Sequence, residues 1–249
     1  NSVLRLSPGN RELFKGLAEL DFIIRLDLQG LPVEDADLKH LEKCQQLQEL
    51  YLRYANISDN GLSSLGKLKN LTKLCLADVT LKDKGLAQLK GCTKLEFLDL
   101  SQATIQQDET LAGLSELSNL KTLYFDTVYG DFTEQGFNDT IGKCVQLEDL
   151  DLSGGTASAA TLNRLSGLKS LRRLTLIGMK GVVDGEALSK FRELTNLDLG
   201  ATKISDKKLK FFEKLTKLES LDMGFNELIT DESLSDLVRC KKLRVLHLY

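Results

Sequence analysis

The sequence predicts an α/β solenoid shaped like a horseshoe, with a parallel sheet on the concave face and short helices on the convex face. The first observation is a six-residue pattern, L-x-x-L-x-L, whose central leucine falls at positions 26, 50, 74, 98, 123, 150, 174, 197, 221 and 246. Successive copies are therefore 23 to 27 residues apart. The second observation is a helix-start signature after most copies. A period of this length is typical of stacked supersecondary units.

Each repeat contains one strand and one helix. In the strand, apolar and polar residues alternate, as they do when one face of a strand is buried. A helix start follows at Ile57-Ser58-Asp59, and equivalent triplets begin at Leu81, Ile204 and Ile229. Hydroxyl and carboxylate groups at a helix start accept hydrogen bonds from the N–H groups of the first turn. A single strand and helix cannot bury their apolar faces alone, so neighbouring repeats are expected to stack.

The repeats predict one domain over residues 1–249. A clipped unit occupies residues 1–22, ten strand–helix repeats follow, and the last repeat ends at its strand. Bare terminal strands favour pairing with another chain. We therefore expect either a segment of a longer protein or end-to-end self-association through the terminal strands.

Composition narrows the function. The chain is 42% hydrophobic and 28% charged, with a net charge of -3, and leucine makes up about a fifth of it, roughly double ordinary usage. This charge argues against a nucleic-acid partner, which normally requires a basic face. No apolar run reaches the length of a membrane span, since Phe22-Ile23-Ile24 is broken at once by Arg25.

The form L-x-x-L-x-L-x-x-x-x-I-[ST]-D-x-G-L, clearest from Leu47 to Leu62, resembles the leucine-rich repeats, especially the cysteine-containing and ribonuclease-inhibitor-like subclasses. The resemblance implies a scaffold that binds other proteins. Those subclasses include substrate-receptor arms of F-box ubiquitin ligases and several bacterial effectors, so a substrate-recognition arm of a ubiquitin-ligase-type assembly is one alternative. The Asn or Cys that usually follows the strand is kept at Asn226 but replaced at Ala55, Val79, Ala103, Gly155, Met179 and Thr202.

Four cysteines, Cys44, Cys92, Cys144 and Cys240, each lie three residues before the first leucine of a strand pattern, where other repeats carry Leu or Phe. We expect them to be small buried hydrophobes. Cysteines two repeats apart are separated by about 10 Å, whereas a disulfide needs Cα atoms within about 7 Å. The absence of predicted bridges favours a cytoplasmic or other intracellular location. The triplets at Asn56, Asn70 and Asn138 fit the alternative, a secreted or cell-surface receptor-like or adhesion module.

The side chains beside each central leucine point away from the core, onto the concave face. Aromatic and acidic residues alternate there around repeats four to six, which suits a protein partner that presents basic and apolar side chains. The predicted partner-binding residues are Tyr51, Arg53, Tyr54, Phe97, Asp99, Tyr124, Asp126, Tyr129, Asp149 and Asp151. The competing interpretation is that acids near strand leucines are ordinary, solvated residues of this repeat. The longest repeat, whose extra segment runs from Thr127 to Phe132, is either part of the binding rim or a tolerated insertion.

The sequence predicts no enzyme, cofactor or metal site. Cys75 is expected on the concave face, where it invites a nucleophile interpretation, but His247 lies seven strands away, about 34 Å. No Ser/His/Asp set, phosphate loop or metal-spaced cluster is present in the sequence. Asp126, Asp149 and Asp151 could form a loose cation site, although lone acids on a strand face are usually solvated.

Overall fold

The computed structural model describes residues 3–5, 12–17, 19–130, 133–155, 159–179 and 185–249. They fall into two compact units. Unit 1 comprises Asn1–Tyr124 and Val128–Cys144, and unit 2 comprises Phe125–Thr127 and Val145–Tyr249. The single domain expected over 1–249 stays a prediction.

Unit 1 contains two parallel sheets. Its described strands are β1 (Val3–Arg5), β2 (Arg25–Asp27), β3 (Glu49–Tyr51), β4 (Lys73–Cys75), β5 (Thr80–Leu81), β6 (Phe97–Asp99), β7 (Thr104–Ile105), β8 (Thr122–Tyr124) and β9 (Tyr129–Gly130). The main sheet has the order β1-β2-β3-β4-β6-β8, and β5-β7-β9 form the smaller sheet. The central leucines 26, 50, 74, 98 and 123 pair in register. The predicted repeat register is confirmed.

The helical segments of unit 1 are short. They are α1 (Glu12–Leu17), α2 (Asp35–Leu41), α3 (Asp59–Leu65), the 3₁₀ helix η1 (Gly85–Gly91), α4 (Asp108–Leu111), the 3₁₀ helix η2 (Ala112–Glu116) and α5 (Glu134–Ile141). Leu62 and Leu65 of α3 are fully buried, as the predicted helix face requires. In the repeat that contains η1, tighter 3₁₀ turns replace the α-helix, and in the repeat that contains η2 they follow a short α-helix.

Unit 2 repeats the same pattern. Its described strands are β10 (Asp149–Asp151), β11 (Arg173–Thr175), β12 (Asn196–Asp198), β13 (Ser220–Asp222) and β14 (Val245–His247), paired in parallel in that order. Its helical segments are α6 (Ala159–Leu165), α7 (Gly185–Leu188), the 3₁₀ helices η3 (Asp206–Lys214) and η4 (Asp231–Ser233), and α8 (Leu234–Leu237). The α/β fold class and the leucine-based parallel sheet are confirmed in each unit.

A left-handed turn follows nine of the described main-sheet strands. The residue two positions after the last residue of the pattern has a positive φ, and in eight of the nine cases its N–H extends the ladder, as Tyr54 shows by donating to the carbonyl oxygen of Ala77 at 3.2 Å. The turn residues are Gly30, Tyr54, Asp78, Gln102, Thr127, Gly154, Gly178, Ala201 and Phe225. Glycine adopts this conformation freely, whereas other residues are strained there.

Carboxylates at the helix starts join neighbouring repeats. Each accepts a hydrogen bond from the backbone N–H that precedes the next helix, in the pairs Asp35 with Ser58, Asp59 with Lys84, Asp108 with Thr133 and Asp206 with Thr230. The hydroxyl groups of Ser58, Thr133 and Thr230 donate to the same carboxylates. The acid that the sequence assigned to the helix dipole therefore also joins two repeats.

The predicted capping role of the hydroxyl residues is only partly correct. The hydroxyl oxygen of Ser58 accepts from the Asn60 N–H at 3.2 Å, and that of Thr230 accepts from the Glu232 N–H at 3.3 Å. Ser205 makes no side-chain cap hydrogen bond, so the prediction is wrong there. The 3₁₀ helix that follows Ser205 replaces the α-helical first turn that the prediction assumed.

The glycine of the D-x-G-L motif has a steric reason. A Cβ atom on Gly61 would lie 2.5 Å from Asp35 Oδ1, and one on Gly136, which holds the equivalent position in the sequence Glu134-Gln135-Gly136-Phe137, would overlap the carboxylate of Asp108. A hydrogen atom at this position therefore leaves room for the acid of the preceding repeat.

The four core cysteines are free and buried. Each thiol donates a hydrogen bond to a backbone carbonyl oxygen of the preceding repeat, in the pairs Cys44 with Leu17, Cys92 with Leu65, Cys144 with Leu114 and Cys240 with Phe212. Burial raises the pKa of Cys92 and of Cys144 to about 12, and it also raises the pKa of Cys44 and Cys240. These thiols are therefore protonated at neutral pH and unreactive while the core is closed.

Asn226 makes the contacts that the consensus residue implies. Its side-chain N–H groups donate to the carbonyl oxygens of Leu199 (2.8 Å), Met223 (2.9 Å) and Gly224 (3.2 Å), and its Oδ1 accepts from the Ile204 N–H at 3.2 Å. The side chain is 8% exposed. This one residue satisfies several buried backbone groups, as buried polar side chains generally must.

Candidate partner-binding face

The open face is defined here as the side chains that flank each central leucine. In unit 1 these are Arg25, Asp27, Glu49, Tyr51, Lys73, Cys75, Phe97, Asp99, Thr122 and Tyr124. In unit 2 they are Asp149, Asp151, Arg173, Thr175, Asn196, Asp198, Ser220, Asp222, Val245 and His247. The central leucines Leu50 and Leu150 are fully buried, so the two-residue alternation of a strand places the flanking side chains on the opposite side of the sheet.

Glu49 is the centre of a charge ladder in unit 1. Its carboxylate lies 3.4 Å from Arg25 Nη1 and 3.2 Å from Lys73 Nζ, and the Tyr51 hydroxyl donates to it at 3.0 Å. Burial raises the pKa of Glu49, but the hydrogen bonds and charges of these neighbours outweigh it and leave the pKa below its ordinary value. The Arg25 guanidinium lies 4.9 Å from the centre of the Tyr51 ring. Tyr51 is therefore already engaged on both its ring and its hydroxyl.

Phe97 and Tyr124 form an aromatic pair on the same face. Their ring centroids are 5.2 Å apart and the rings are nearly perpendicular, at 77°. Both side chains are half-buried. Edge-to-face pairs of this kind are favourable and offer a rigid apolar surface. These two predicted residues are brought together by neighbouring strands.

Arg53 and Tyr54 lie at the strand end. The Nε of Arg53 donates to Asp78 Oδ2 at 2.8 Å, and the guanidinium lies 5.0 Å from the centre of the Tyr54 ring. Tyr54 is 59% exposed and has a φ of 67°. Its exposed ring is therefore available to a partner, whereas Arg53 is held by Asp78.

Cys75 lies on the open face, as its position in the strand predicts, but it is buried there. Its side chain is 5% exposed, and its thiol donates to Asp99 Oδ2 at 3.3 Å. In register it lies between Tyr51 and Asp99, whose larger side chains cover it. Burial raises the pKa of Cys75 to about 12, although the Ala77 N–H acts in the opposite direction. The thiol is therefore protonated at neutral pH, which disfavours the nucleophile interpretation.

Aspartates between the leucines cap the strand-end turns. In each case Oδ1 accepts from the N–H two residues later, at 3.2 Å for Asp27, 2.9 Å for Asp99, 2.9 Å for Asp151, 2.9 Å for Asp198 and 2.8 Å for Asp222. Asp and Asn side chains commonly stabilise turns in this way. One oxygen of Asp99 and one of Asp151 are therefore occupied by local structure.

Three predicted acids belong to unit 2. Asp149 accepts from Arg173 Nη1 at 2.8 Å. Burial raises the pKa of Asp151, the hydrogen bonds from Ser153 lower it, and the charges of Asp126 and Asp149 raise it further, leaving it above its ordinary value. Among the described residues, no group of three or more His, Cys, Asp or Glu side chains is arranged to hold a metal ion. The loose cation site therefore gains no support.

The extra segment of the longest repeat belongs mainly to unit 1. Tyr129 begins β9 of the smaller sheet and is 56% exposed. It therefore lies away from the open face of the main sheet. Asp131 and Phe132 of the same segment lie outside the described residues.

Sequence reasoning missed the apolar surface at the end of unit 2. Phe225 is 71% exposed and Tyr249 is 69% exposed. The available signal was Phe225 itself, an aromatic residue at the turn position where Gly154 and Gly178 occur in earlier repeats.

The family comparison agrees with this geometry. Residues 43–66 and 214–238 match the family model described as Leucine Rich repeat. The first match lies in unit 1 and the second in unit 2. This chain is built from leucine-rich repeats. No curated protein matches it by sequence.

Solved structures share the fold. Internalin C2 of Listeria monocytogenes is 24% identical, with a TM-score of 0.62, over 86% of this chain and 84% of its own. Internalin F of the same organism is 17% identical, with a TM-score of 0.51, over 96% of this chain and 87% of its own. TLR13, in a complex with ssRNA13, is 23% identical, with a TM-score of 0.63, over 93% of this chain and 36% of its own. Among the described residues, no helix is long and apolar enough to cross a bilayer.

Proposed function

We propose that the chain is a non-catalytic scaffold that binds a protein partner through the open face, with Phe97 and Tyr124 as the apolar anchors in unit 1. The supporting observation is their half-exposed edge-to-face packing. Clustered aromatic residues dominate binding energy at many interfaces, because they bury large areas with little loss of side-chain freedom.

The charges favour a partner with basic as well as apolar side chains. Asp126, Asp149 and Asp151 supply negative charge in unit 2, and the pKa of Asp151 is raised, first by burial and further by the other two charges. A basic side chain brought near these carboxylates would relieve that repulsion. The same acids would repel nucleic-acid phosphates, so a protein is the preferred partner class.

The test is capture of partners from native extract, followed by affinity measurement with the purified partner. A Phe97→Ala/Tyr124→Ala variant should weaken binding by roughly 30-fold or more, the effect of an interface anchor. Phe22→Ala is the matched control, because Phe22 is 63% exposed and lies outside the open face. An unchanged affinity in the double variant would overturn the proposal. Asp126→Lys tests unit 2 separately and should slow association with a basic partner.

For localisation we propose an intracellular compartment. The support is that all five cysteines are free, because secreted proteins of comparable cysteine content commonly form disulfides. A secreted or cell-surface receptor-like module is the alternative. Of its three glycosylation triplets, Asn138 is only 6% exposed and the side-chain amide of Asn70 donates to the carbonyl oxygen of Gln45 at 2.8 Å, whereas Asn56 is exposed. A glycan on Asn56 in native material would contradict the intracellular proposal.

Two sequence expectations stay predictions. End-to-end self-association would appear as concentration-dependent mass in sedimentation equilibrium. A substrate-recognition arm would appear as ligase subunits among the captured partners.

A further inference from the structure

An aromatic cluster lies at the last two strand ends of unit 2. The rings of Phe225 and Tyr249 are 5.3 Å apart at 87°, and the His247 ring is 5.8 Å from that of Tyr249. Phe225 and Tyr249 are each more than two-thirds exposed. Adjacent exposed rings of this size mark interaction surfaces more often than solvated ones.

The backbone holds Phe225 in an unfavourable conformation. Its φ is 57°, in the left-handed region that bulky residues rarely adopt. The same turn position holds glycine at Gly154 and Gly178. Because the Phe225 ring is mostly exposed, it buries little apolar surface that could offset the backbone strain. Tyr54, Asp78, Gln102, Thr127 and Ala201 adopt the same positive φ at this turn position, so the strain belongs to the repeat, and the exposed ring rather than the strain points to a function.

Asp222 adjoins the rings, and Asp198 is its neighbour on the next strand. Asp198 and Asp222 are paired in register on β12 and β13, about 4.8 Å apart along the sheet. Asp222 Oδ2 lies 3.0 Å from His247 Nδ1 and accepts from the Tyr249 hydroxyl at 3.4 Å. Asp198 Oδ1 accepts from the Gly200 N–H, and its second oxygen has no hydrogen bond among the described residues.

Two glycines, Gly200 and Gly224, lie between Ile177 and the Tyr249 ring. A Cβ atom on Gly224 would lie 3.2 Å from Tyr249 Cε2, so the tyrosine ring lies against this glycine. A Cβ atom on Gly200 would lie 3.8 Å from Ile177 Cγ1, and Ile177 is 43% exposed. The absent side chain at Gly200 therefore leaves a notch bounded by Ile177, Asp198 and Gly224, and the Tyr249 ring lies against that second glycine.

We propose that this notch binds an arginine side chain of a partner polypeptide. A guanidinium group is planar and weakly hydrated, so it stacks on aromatic rings and donates to a carboxylate at the same time. Asp198 supplies the acceptor, and Phe225 and Tyr249 supply the rings. The inference goes beyond the proposed function: Asp198 lies on the open face, but the notch uses none of the anchors and acids named there, which are Phe97, Tyr124, Asp126, Asp149 and Asp151.

The experiment is an amide NMR titration of the full chain with the peptide Ac-Gly-Arg-Gly-NH₂. The matched probe is Ac-Gly-citrulline-Gly-NH₂, which keeps the shape of arginine but carries no charge. The arginine peptide should shift the amide signals of Gly200, Gly224 and Phe225, and the citrulline peptide should not. Equal shifts with both peptides, or shifts spread over the chain, would overturn the proposal.

Two variants separate binding from folding. Asp198→Asn keeps an Oδ1 acceptor for the Gly200 N–H and should abolish the arginine-dependent shifts. Asp27→Asn is its control, because Asp27 Oδ1 makes the same turn hydrogen bond, to the Gln29 N–H, in unit 1. The proposal fails if both variants titrate like the unchanged chain.

Phe225→Gly gives a stricter test, since it should raise stability by relieving the turn while lowering affinity about two- to fivefold, the usual effect of an exposed cation–π contact. Gln102→Gly relieves the equivalent turn in unit 1, where φ is 58°, and should leave binding unchanged. If Phe225→Gly binds the peptide as tightly as the unchanged chain, the ring has no part in recognition and the proposal is wrong.

Discussion

On the open face of unit 1, Glu49 has a cation on each neighbouring strand, Arg25 and Lys73. On the open face of unit 2, Asp198 and Asp222 are direct neighbours, and the pKa of Asp198 is raised by burial and further by the charge of Asp222. In both units the central leucines pair in register, and these charged side chains lie at the alternate positions. These positions are therefore free to carry opposite electrostatic arrangements without changing the strands beneath them.

The helix ends differ as well. In unit 1, a Cβ atom on Gly66 would overlap the carbonyl oxygen of Gln88, and one on Gly91 would overlap that of Gly66. In unit 2, a Cβ atom on Gly167 would meet nothing closer than 4.0 Å. Neighbouring repeats therefore approach more closely at these helix ends in unit 1 than at Gly167.

The largest effect should come from adding a side chain at Gly66, where two neighbouring repeats approach closely. Gly66→Ala should destabilise unit 1 by about 3 kcal/mol, because the obstructing atom is backbone and cannot rotate away. Gly167→Ala in unit 2 is the control and should change stability by less than about 0.5 kcal/mol. Urea denaturation followed by circular dichroism measures both. Similar midpoints for the two variants would remove this contrast between the units.

The left-handed turns should be equivalent in the two units. Gln102→Gly in unit 1 should raise the free energy of unfolding by about 1 kcal/mol, because it removes backbone strain at an exposed position. Gly178→Ala in unit 2 should lose a similar amount through strain alone, since its φ is 72° and a Cβ atom would touch nothing within 4 Å. Thermal unfolding measures both shifts. Changes of the same sign would show that the turns are not equivalent.

The smallest effects should come from neutralising one carboxylate in each unit, and the two changes in stability should have opposite signs. The pKa of Glu49 is lowered, so its ionised form stabilises the fold, and Glu49→Gln should lower stability at pH 7. That loss should disappear as pH falls through the lowered pKa. The pKa of Asp151 is raised, so its ionised form destabilises the fold. Asp151→Asn should therefore raise stability at pH 7, and the gain should shrink as pH falls through the raised pKa.

Urea midpoints of the unchanged chain and of both variants, measured at pH 7 and near pH 4, test these signs. Changes of the same sign at pH 7 would contradict the electrostatic contrast between the units.

The strands could be predicted from the sequence because leucine spacing alone sets their register. The roles of the aspartates could not, since Asp35 and Asp206 accept from residues one repeat later, and stacking determines which groups meet. The burial of Cys75 could not be predicted, because strand alternation gives the side of the sheet but not the coverage by larger neighbours. For the candidate site, the pairing of Phe97 with Tyr124 followed from adjacent repeats. The strain at Phe225 required backbone angles.

The alkylation rates of the buried cysteines can be used to measure local opening of the fold. Unit 1 contains Cys44, Cys75, Cys92 and Cys144, and unit 2 contains Cys240. A thiol with a raised pKa and no solvent access reacts with an alkylating reagent mainly when its surroundings open. Mass spectrometry after timed alkylation therefore reports how often the surroundings of each of these five cysteines open under native conditions. The measurement uses the natural cysteines, so no substitution is needed.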